Sequence, residues 1–292
     1  MSEETKRTRR LGDVAVFPVG MGAMTLTQVP GYDEARAIRT VHAAVDAGVT
    51  LFDTADVYGP GAGYGVNESM LAKALARYPG PTDHVIVSTK GGHLRPGDQT
   101  WDTDGRPEHL RRACEDSLRR LGLDALPLYL HHRPDPKVPY ADSVGALRDL
   151  HEAGLIRCAG ISNADPEQIR LAHGILGDAL VAVENAFSPG FRSSEPEMEL
   201  CEDLGLAFLA WGPFGGMRQA KGLGARFGAF EAIARERGVS PHRVVLAWQL
   251  HKSPAVIPIP GASRPESVRD STAAAGLTLT TEEFERLERD AE

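Results

Sequence analysis

The chain carries a small set of reactive side chains that together could protonate a carbonyl oxygen: Asp53, Tyr58, Lys90 and the adjacent pair His131 and His132. A free tyrosine has a pKa of about 10, so it donates a proton slowly at neutral pH unless a nearby ammonium favours the phenolate. Lys90 is predicted to lower the pKa of Tyr58 in this way, and Asp53 to pair with Lys90 and offset the cost of burying it. A histidine beside them could hydrogen-bond the carbonyl group and orient it, or relay the proton.

These side chains stand at the ends of predicted strands. After a hairpin over residues 10–17, short apolar runs predict eight strands, at residues 19–24, 49–53, 84–88, 127–131, 155–161, 179–184, 206–210 and 255–259. Asp53 ends the second strand, Tyr58 follows in its loop, Lys90 lies just beyond the third strand, and the two histidines end the fourth. The carboxyl ends of barrel strands share one face, so these residues are expected to meet in one pocket.

Amphipathic segments follow most of the strands and predict helices. Residues 33–47 place Ile38, Val41 and Val45 on one stripe, and residues 107–121 have the same spacing. Helix start and stop signals are found at Gly48, Gly122, Gly154, Asp165-Pro166, Ser240-Pro241 and the capping box of Thr280 and Glu283. Repeated alternation of strand and helix requires a parallel sheet. The sequence therefore predicts an α/β protein, a single (β/α)8 TIM barrel with an N-terminal β-hairpin, as one domain over residues 1–292.

The alternative architecture is an open, doubly wound sheet, which would place a glycine-rich phosphate-binding turn after its first strand. That turn is missing, because Gly20 and Gly22 are not followed by a third glycine and the glycine-rich run at 59–63 ends at Tyr64. GxxxxGK[ST], HExxH and GxSxG motifs do not occur either. If the protein binds a nucleotide, the sequence predicts a different kind of site.

Composition limits the possible partners. The 292 residues are 42% hydrophobic and 25% charged, as in ordinary folded proteins. A net charge of −8 argues against nucleic acid or an anionic membrane as the main partner. No apolar run approaches the roughly 18 to 20 residues of a membrane helix, and the polar N-terminus does not resemble a secretion signal, so the predicted location is cytoplasmic. Cys114, Cys158 and Cys201 form no CxxC pair and are expected to be buried, reduced thiols.

Five motifs in this order resemble the aldo-keto reductases. They are Leu-Phe-Asp-Thr-Ala-Asp-Val-Tyr-Gly at 51–59, Ser-Thr-Lys-Gly-Gly at 88–92, His-Arg-Pro-Asp-Pro at 132–136, Gly-Ile-Ser-Asn at 160–163 and Ile-Pro-Ile-Pro-Gly-Ala-Ser at 257–263. The resemblance covers almost the whole chain. It implies an NADP(H)-dependent enzyme, without a metal, that reduces a small-molecule aldehyde or ketone reversibly to the alcohol. It also implies that Asp53, Tyr58, Lys90 and His132 are the catalytic residues, with Tyr58 as the general acid.

The same resemblance implies a set of cofactor-binding residues. Ser162 and Asn163 would hold the nicotinamide carboxamide, Trp211 would stack on the ring, and Arg264 would bind the 2′-phosphate and favour NADP over NAD. Ser263 would begin a helix whose N-terminus holds an anion. The remaining members of the set are Gly22, Glu184, Gly212, Pro213, Phe214, Gly261, Ser267 and Ser271.

Two of these positions depart from the family pattern. Glu184 stands where a glutamine is usual, and Ser271 stands where an asparagine usually contacts the adenine. An ionised Glu184 can accept a hydrogen bond from the carboxamide but cannot donate one, which leaves Asn163 as the donor. A carboxylate there is also predicted to favour the cationic, oxidised ring. The alternative is that Glu184 is protonated or turned towards a basic neighbour.

The sequence does not identify the substrate. Met24, Trp101 and residues 214–230 are candidates for the pocket wall, and the absence of a long C-terminal tail suggests an open site. The oligomeric state, monomer or homo-oligomer, is left open. A second function from another class is an NADP(H)-binding sensor or regulatory subunit, because two of the motifs also resemble the β subunits of voltage-gated potassium channels. A metal-dependent barrel hydrolase or isomerase would need a larger cluster of carboxylate and histidine ligands.

Overall fold

The barrel is formed by eight parallel strands. The computed structural model describes residues 8–29, 31–61, 63–97, 100–216 and 219–291. A short antiparallel hairpin, β1 (Arg9–Leu11) and β2 (Val14–Val16), precedes the barrel. The barrel strands are β3 (Met21–Gly22), β4 (Leu51–Asp53), β5 (Ile86–Gly91), β8 (Leu126–His131), β9 (Ile156–Ser162), β10 (Leu180–Ala186), β11 (Ala207–Trp211) and β12 (Val256–Pro258), neighbours in that order. The prediction of a (β/α)8 barrel with an N-terminal hairpin is confirmed.

The first and last strands meet at a seam that nearly closes the barrel. The backbone N–H of Gly20 donates to the Pro258 carbonyl at 2.9 Å, and that of Gly22 donates to the Pro260 carbonyl at 3.0 Å. Because prolines have no N–H, this part of the chain can only accept at these two positions. β3 has two residues, which pair with Phe52 and Asp53 of β4, whereas the sequence predicted a strand over 19–24.

Helices surround the strands. They are α1 (Met24–Thr27), α2 (Glu34–Asp46), α3 (Val66–Ala76), α4 (Pro107–Leu121), α5 (Tyr140–Glu152), α6 (Pro166–Leu176), α7 (Glu195–Leu204), α8 (Leu223–Arg226), α9 (Gly228–Arg237), α10 (Pro241–Lys252), α11 (Pro265–Thr272) and α12 (Thr281–Asp290). The sequence signals mark several of their ends: Asp165 forms a capping box with Gln168, and Thr280 forms one with Glu283. Gly122 ends α4 in the left-handed conformation, with φ of 68°.

The apolar core has an inner and an outer part. Alternate residues of β8 show the division, since Leu128 and Leu130 pack inside the barrel whereas Tyr129 packs outwards against the helices. Leu11 and Val16 of the hairpin join the inner cluster, so the hairpin covers the amino-terminal end of the barrel. The carboxyl end is left for the reactive side chains.

A second hairpin lies beyond β5 and was not predicted. It consists of β6 (His93–Gly97) and β7 (Thr100–Thr103), which pair antiparallel outside the barrel. Trp101, expected on a loop, belongs to this hairpin. Met24, expected to end a strand, instead begins α1.

Two further predictions concern the chain as a whole. Cys114 and Cys201 are buried free thiols, as expected, whereas Cys158 is only half-buried. Within the described ranges, the structure contains no helix with both the length and the apolar character needed to cross a bilayer.

Candidate active site

A cavity of about 700 Å³ opens at the carboxyl ends of the strands. Many residues singled out from the sequence line it: Gly22, Met24, Asp53, Tyr58, Trp101, His132, Ser162, Asn163, Glu184, Trp211, Gly212, Pro213, Phe214 and Gly261. Lys90 lies directly beneath, with a fully buried side chain. The barrel thus brings the predicted residues from separate strands to one place.

Asp53 and Lys90 form a buried ion pair on neighbouring strands. Lys90 Nζ lies 2.5 Å from Asp53 Oδ2 and also donates to the Thr54 carbonyl at 3.0 Å. The Ser88 hydroxyl donates to the other oxygen of Asp53 at 2.7 Å. The carboxyl group is therefore fixed from both sides, and the ammonium is held at the floor of the cavity.

Tyr58 lies above this pair. Lys90 Nζ is 5.4 Å from the centroid of the Tyr58 ring, and the ring of His132 approaches Tyr58 edge-on with centroids 5.7 Å apart. Two backbone hydrogen bonds fix the loop of Tyr58: the Asp56 N–H donates to the Lys90 carbonyl at 3.2 Å, and the Asn67 N–H donates to the Tyr58 carbonyl at 3.0 Å. The four predicted catalytic residues are thus neighbours.

The predicted direction of the Tyr58 pKa shift is wrong. Burial raises the pKa of Tyr58 above its usual value, and the negative charges of Asp53 and Glu184 raise it further. Lys90 acts in the predicted direction, but its charge does not outweigh the loss of solvent. Lys90 itself loses solvation, yet Asp53 and Glu184 outweigh that effect and raise its pKa. At neutral pH the pair is therefore a phenol beside an ammonium.

His132, rather than His131, faces the cavity. Burial, followed by the charge of Lys90, lowers the pKa of His132 well below its usual value, so its imidazole is neutral. His131 lies outside the cavity lining and packs against Tyr140, with ring centroids 5.8 Å apart. The alternation of side chains along β8 accounts for the difference.

The β6–β7 hairpin adds an aromatic wall to the cavity. The wall includes His93, a residue that the sequence did not predict. His93 stacks on Trp101 with centroids 4.7 Å apart and meets His132 edge-on at 4.8 Å. Burial and the charge of Arg133 lower the pKa of His93 to about 4. The only sequence signal for His93 was its position three residues after Lys90. Arg133, which also lines the cavity, was not singled out either.

Asn163 connects the two halves of the cavity. Its side-chain amide donates to the His132 carbonyl at 3.0 Å and to Ser162 Oγ at 2.9 Å, and Ser162 Oγ donates to the Glu184 carbonyl at 2.8 Å. Asn163 adopts a φ of 57°, a left-handed conformation that asparagine tolerates better than most residues. These bonds fix the strand ends at which a carboxamide is expected to bind.

Glu184 is held beside Lys90. Its Oε2 atom lies 3.2 Å from Lys90 Nζ. Burial and the negative charge of Asp53 raise the pKa of Glu184 to about 8, although Lys90 acts in the opposite direction. Of the two interpretations open at the sequence level, the structure favours a protonated Glu184 that faces a basic neighbour.

The cavity fits a dinucleotide with a flat ring and an amide. Several of its lining residues carry buried polar atoms without a hydrogen-bond partner in the described chain: Thr25 Oγ1, His132 Nδ1, Glu184 Oε2 and Trp211 Nε1. Gly212 and Gly216 have positive φ values of 62° and 87°. A side chain added at Gly216 would meet no atom within 4 Å, so its backbone borders open space that a phosphate group could occupy.

Four predicted cofactor residues lie outside the cavity wall. Ser263 and Arg264 lie in the loop after Gly261, and Ser267 and Ser271 lie on α11. The helix begins at Pro265, so the prediction that Ser263 begins it is wrong, and Arg264 is the N-cap residue. Arg264 is exposed and makes no ion pair with any described residue.

Comparison with known proteins agrees with this site. The sequence profile of the Aldo/keto reductase family matches residues 18–291. An uncharacterised oxidoreductase of Schizosaccharomyces pombe is 34% identical over 288 residues, covering 97% of this chain and 89% of the relative. A 6-dehydroglucose reductase of Novosphingobium aromaticivorans is 34% identical over 278 residues, covering 91% and 89%. The chain therefore belongs to the aldo/keto reductase family, as predicted, and is an oxidoreductase.

Solved structures show the same architecture. The glycerol dehydrogenase of Gluconobacter oxydans has a TM-score of 0.83 at 29% identity, covering 98% of this chain and 95% of that one. An aldo/keto reductase of Klebsiella pneumoniae, solved in complex with NADP and acetate, has a TM-score of 0.80 at 28% identity, covering 97% and 94%. Among the residues described here, no three histidine, cysteine or acidic side chains are grouped so as to hold a metal ion.

Proposed function

We propose that this protein reduces a small aldehyde or ketone to the alcohol, reversibly, with NADP(H) as cofactor and Tyr58 as the proton donor. The observation that carries the proposal is the convergence of Tyr58, Lys90, Asp53 and His132 at one cavity floor. A reductase needs a proton for the carbonyl oxygen, and these residues can hold and deliver one.

Tyr58 holds that proton as a neutral phenol because burial raises its pKa. Transfer to the substrate oxygen leaves a phenolate, which the Lys90 ammonium, 5.4 Å from the ring centroid, stabilises by its charge. Asp53 keeps Lys90 charged and in position. His132, as a neutral imidazole, carries one N–H with which it can hydrogen-bond the carbonyl oxygen and orient it.

The wall opposite Tyr58 would hold the cofactor. Asn163 and Ser162 would bind the carboxamide, and the Trp211 ring offers a flat apolar surface for the nicotinamide. Gly212 and Gly216 would border the phosphates. When bound, the reduced cofactor supplies a hydride to the carbonyl carbon.

Arg264 supports a preference for NADP over NAD. Its exposed guanidinium has no acidic partner in the described part of the chain and stands at the N-terminus of α11, three residues after the cavity residue Gly261. A guanidinium and a helix N-terminus both favour a phosphate group. Ser267 and Ser271, on the same helix, would lie towards the adenine end.

The substrate is proposed only as a class. Met24, Trp101 and His93 form the outer part of the cavity, so a flat or apolar group could pack there. The relatives are named for 6-dehydroglucose and glycerol, which places hydroxylated aldehydes and ketones in the first panel to be tested.

The direct test is NADPH and NADH oxidation, followed by absorbance, with a panel of sugar-derived, aliphatic and aromatic aldehydes and ketones. We expect turnover with at least one class and a higher kcat/KM with NADPH than with NADH. Tight binding of NADPH with negligible turnover over the whole panel would instead identify a sensor or regulatory subunit. Failure to bind either cofactor would contradict the proposal.

A further inference from the structure

Glu184 is a second carboxyl group beside the Lys90 ammonium, which already pairs with Asp53. Its side chain is 3% exposed, and Oε2 lies 3.2 Å from Lys90 Nζ without making an aligned hydrogen bond. Lys90 meanwhile donates to Asp53 at 2.5 Å and to the Thr54 carbonyl at 3.0 Å. Glu184 is therefore the more loosely held of the two acids.

No group on the adjoining strands neutralises Glu184. Its register neighbours are Ser162 on β9 and Leu209 on β11, and neither carries a charge. The charged groups that act on it most strongly are Asp53 and Lys90, from across the barrel, and Tyr58 experiences the charge of Glu184 in turn. With Asp53 and Lys90 paired, the floor of the cavity is neutral when Glu184 is protonated and carries one negative charge when Glu184 is ionised.

We propose that Glu184 couples a proton to the oxidation state of the cofactor: it releases its proton to solvent when the cationic, oxidised nicotinamide binds and keeps it when the neutral, reduced ring binds. The inference rests on the proposed function, since it requires NADP(H) in this cavity. The step breaks the carboxyl O–H bond of Glu184 and leaves a carboxylate beside Lys90, with no transfer of electrons. The ionised form attracts a cation on the same cavity wall, and the protonated form does not.

The neighbouring groups do not compete with Glu184 between pH 6 and 9. Burial raises the pKa of Glu184 into this range. The pKa values of Tyr58 and Lys90 are raised, whereas burial lowers those of His132 and His93, so these four keep their protonation states. The 2′-phosphate of the cofactor titrates at about pH 6. Because both oxidation states carry this phosphate, its effect cancels in the ratio of their affinities.

The first experiment measures the dissociation constants of NADP+ and NADPH by fluorescence titration at pH 6 and pH 9. In the wild-type protein we expect the ratio Kd(NADP+)/Kd(NADPH) to fall by about ten-fold as the pH rises, the order of effect expected for charges several ångströms apart in a protein interior. In Glu184→Gln the ratio should be nearly the same at pH 9 as at pH 6. Glu199→Gln, an exposed site on α7, removes the same formal charge elsewhere and should behave as wild type.

A second measurement needs no variant. Calorimetry in buffers of different ionisation enthalpy counts the protons released on binding, and near pH 7 the wild-type protein should release more with NADP+ than with NADPH, by up to one proton. Equal release, or a ratio of affinities that does not change with pH, would overturn the inference even if the enzyme reduces carbonyls normally. If neither cofactor binds, the proposed function fails as well.

Discussion

At the scale of single residues, Lys90 is the centre of the charge balance. It is fully buried, and its Nζ faces Asp53, Glu184 and the Thr54 carbonyl within 3.2 Å. Burying an ammonium is costly unless it is paired and hydrogen-bonded, and removing one member of such a cluster leaves the others uncompensated. The catalytic role proposed for Lys90 therefore depends on carboxyl groups that also influence stability.

The proton on Glu184 should make stability depend on pH. Burial raises the pKa of this group to about 8 in the folded protein, compared with about 4.3 for an exposed glutamate. Its contribution to stability is full below about pH 4.3 and is lost progressively as the pH rises to about 8. Glu184→Gln should therefore gain stability relative to wild type, by more than about 2 kcal/mol, between pH 5 and pH 8.

Denaturant unfolding at a series of pH values measures this difference. Glu199→Gln is the matched control, and the gap between it and wild type should change little with pH. A constant gap between Glu184→Gln and wild type would show that Glu184 does not hold an elevated pKa in the folded protein.

The sequence indicated which residues would meet, but not how they would titrate. Asp53, Lys90 and the pair His131 and His132 were predicted to meet because strand ends converge in a barrel, and Tyr58 follows one of those ends closely. The family resemblance then selected His132. The pKa of Tyr58 was predicted in the wrong direction because the depth of burial, which dominates it, is a property of the assembled cavity. His93 was missed because no local pattern distinguishes it from any other loop histidine.

At the scale of elements, the β6–β7 hairpin determines the outer shape of the cavity. Trp101 is 45% exposed; its ring stacks on His93, with centroids 4.7 Å apart, and lies 5.3 Å from the Arg95 guanidinium. A partly exposed ring held by such contacts is well suited to contact a substrate, and its removal should cost little folding energy.

We expect Trp101→Ala to raise KM for aromatic aldehydes by roughly three- to ten-fold, the value of an aromatic contact of about 0.5–1.5 kcal/mol. Small aliphatic aldehydes should be affected less, and the melting temperature should stay close to that of wild type. Steady-state kinetics with matched aromatic and aliphatic substrates provides the measurement. Leu171→Ala, a 43% exposed apolar site on α6, is the control. An unchanged KM for every aromatic substrate would remove Trp101 from the pocket.

This hairpin could not be predicted because its sequence does not have the pattern of a strand pair. Pro96 lies inside β6 directly after the charged Arg95, and a proline within such a run argues against a strand. By contrast, α4 begins at proline and ends before Gly122, so its predicted bounds agree with the structure.

At the scale of the whole molecule, the barrel depends on the seam between its first and last strands. Gly22 forms a bridge with Gly261 there, and a Cβ atom added at Gly22 would lie 2.8 Å from the Ile259 carbonyl oxygen. That oxygen belongs to the backbone and cannot move away as a flexible side chain could. Glycine at this position allows the strands to approach closely.

Gly22→Ala is therefore expected to destabilise the protein by about 1–3 kcal/mol, as overpacking usually does. Gly145→Ala is a control that should instead stabilise the protein. Gly145 lies within α5 with no atom within 4 Å of the added Cβ, and alanine favours a helix over glycine by about 0.5–1 kcal/mol. Thermal or denaturant unfolding of the two variants measures both effects. A Gly22→Ala protein as stable as wild type would show that the seam is not tightly packed.

The architecture as a whole was predictable because eight repeats of one pattern permit few topologies. Each run of apolar residues followed by an amphipathic helix requires a parallel crossover, and the number of repeats indicates closure. The seam itself was not predictable: the sequence predicted six residues for the first strand, whereas the strand has two, and Pro258 and Pro260 across the seam cannot donate hydrogen bonds to it.

Tyr58 is proposed to give its proton to the substrate carbonyl. Tyr58→Phe keeps the ring and removes only the hydroxyl, so we expect kcat for carbonyl reduction to fall by at least about 100-fold, a typical contribution of a general acid. The dissociation constant for NADPH should stay within about two-fold of wild type, since the cofactor is proposed to lie on the opposite wall. A Tyr58→Phe variant that binds NADPH normally and reduces the substrate at the wild-type rate would contradict this account.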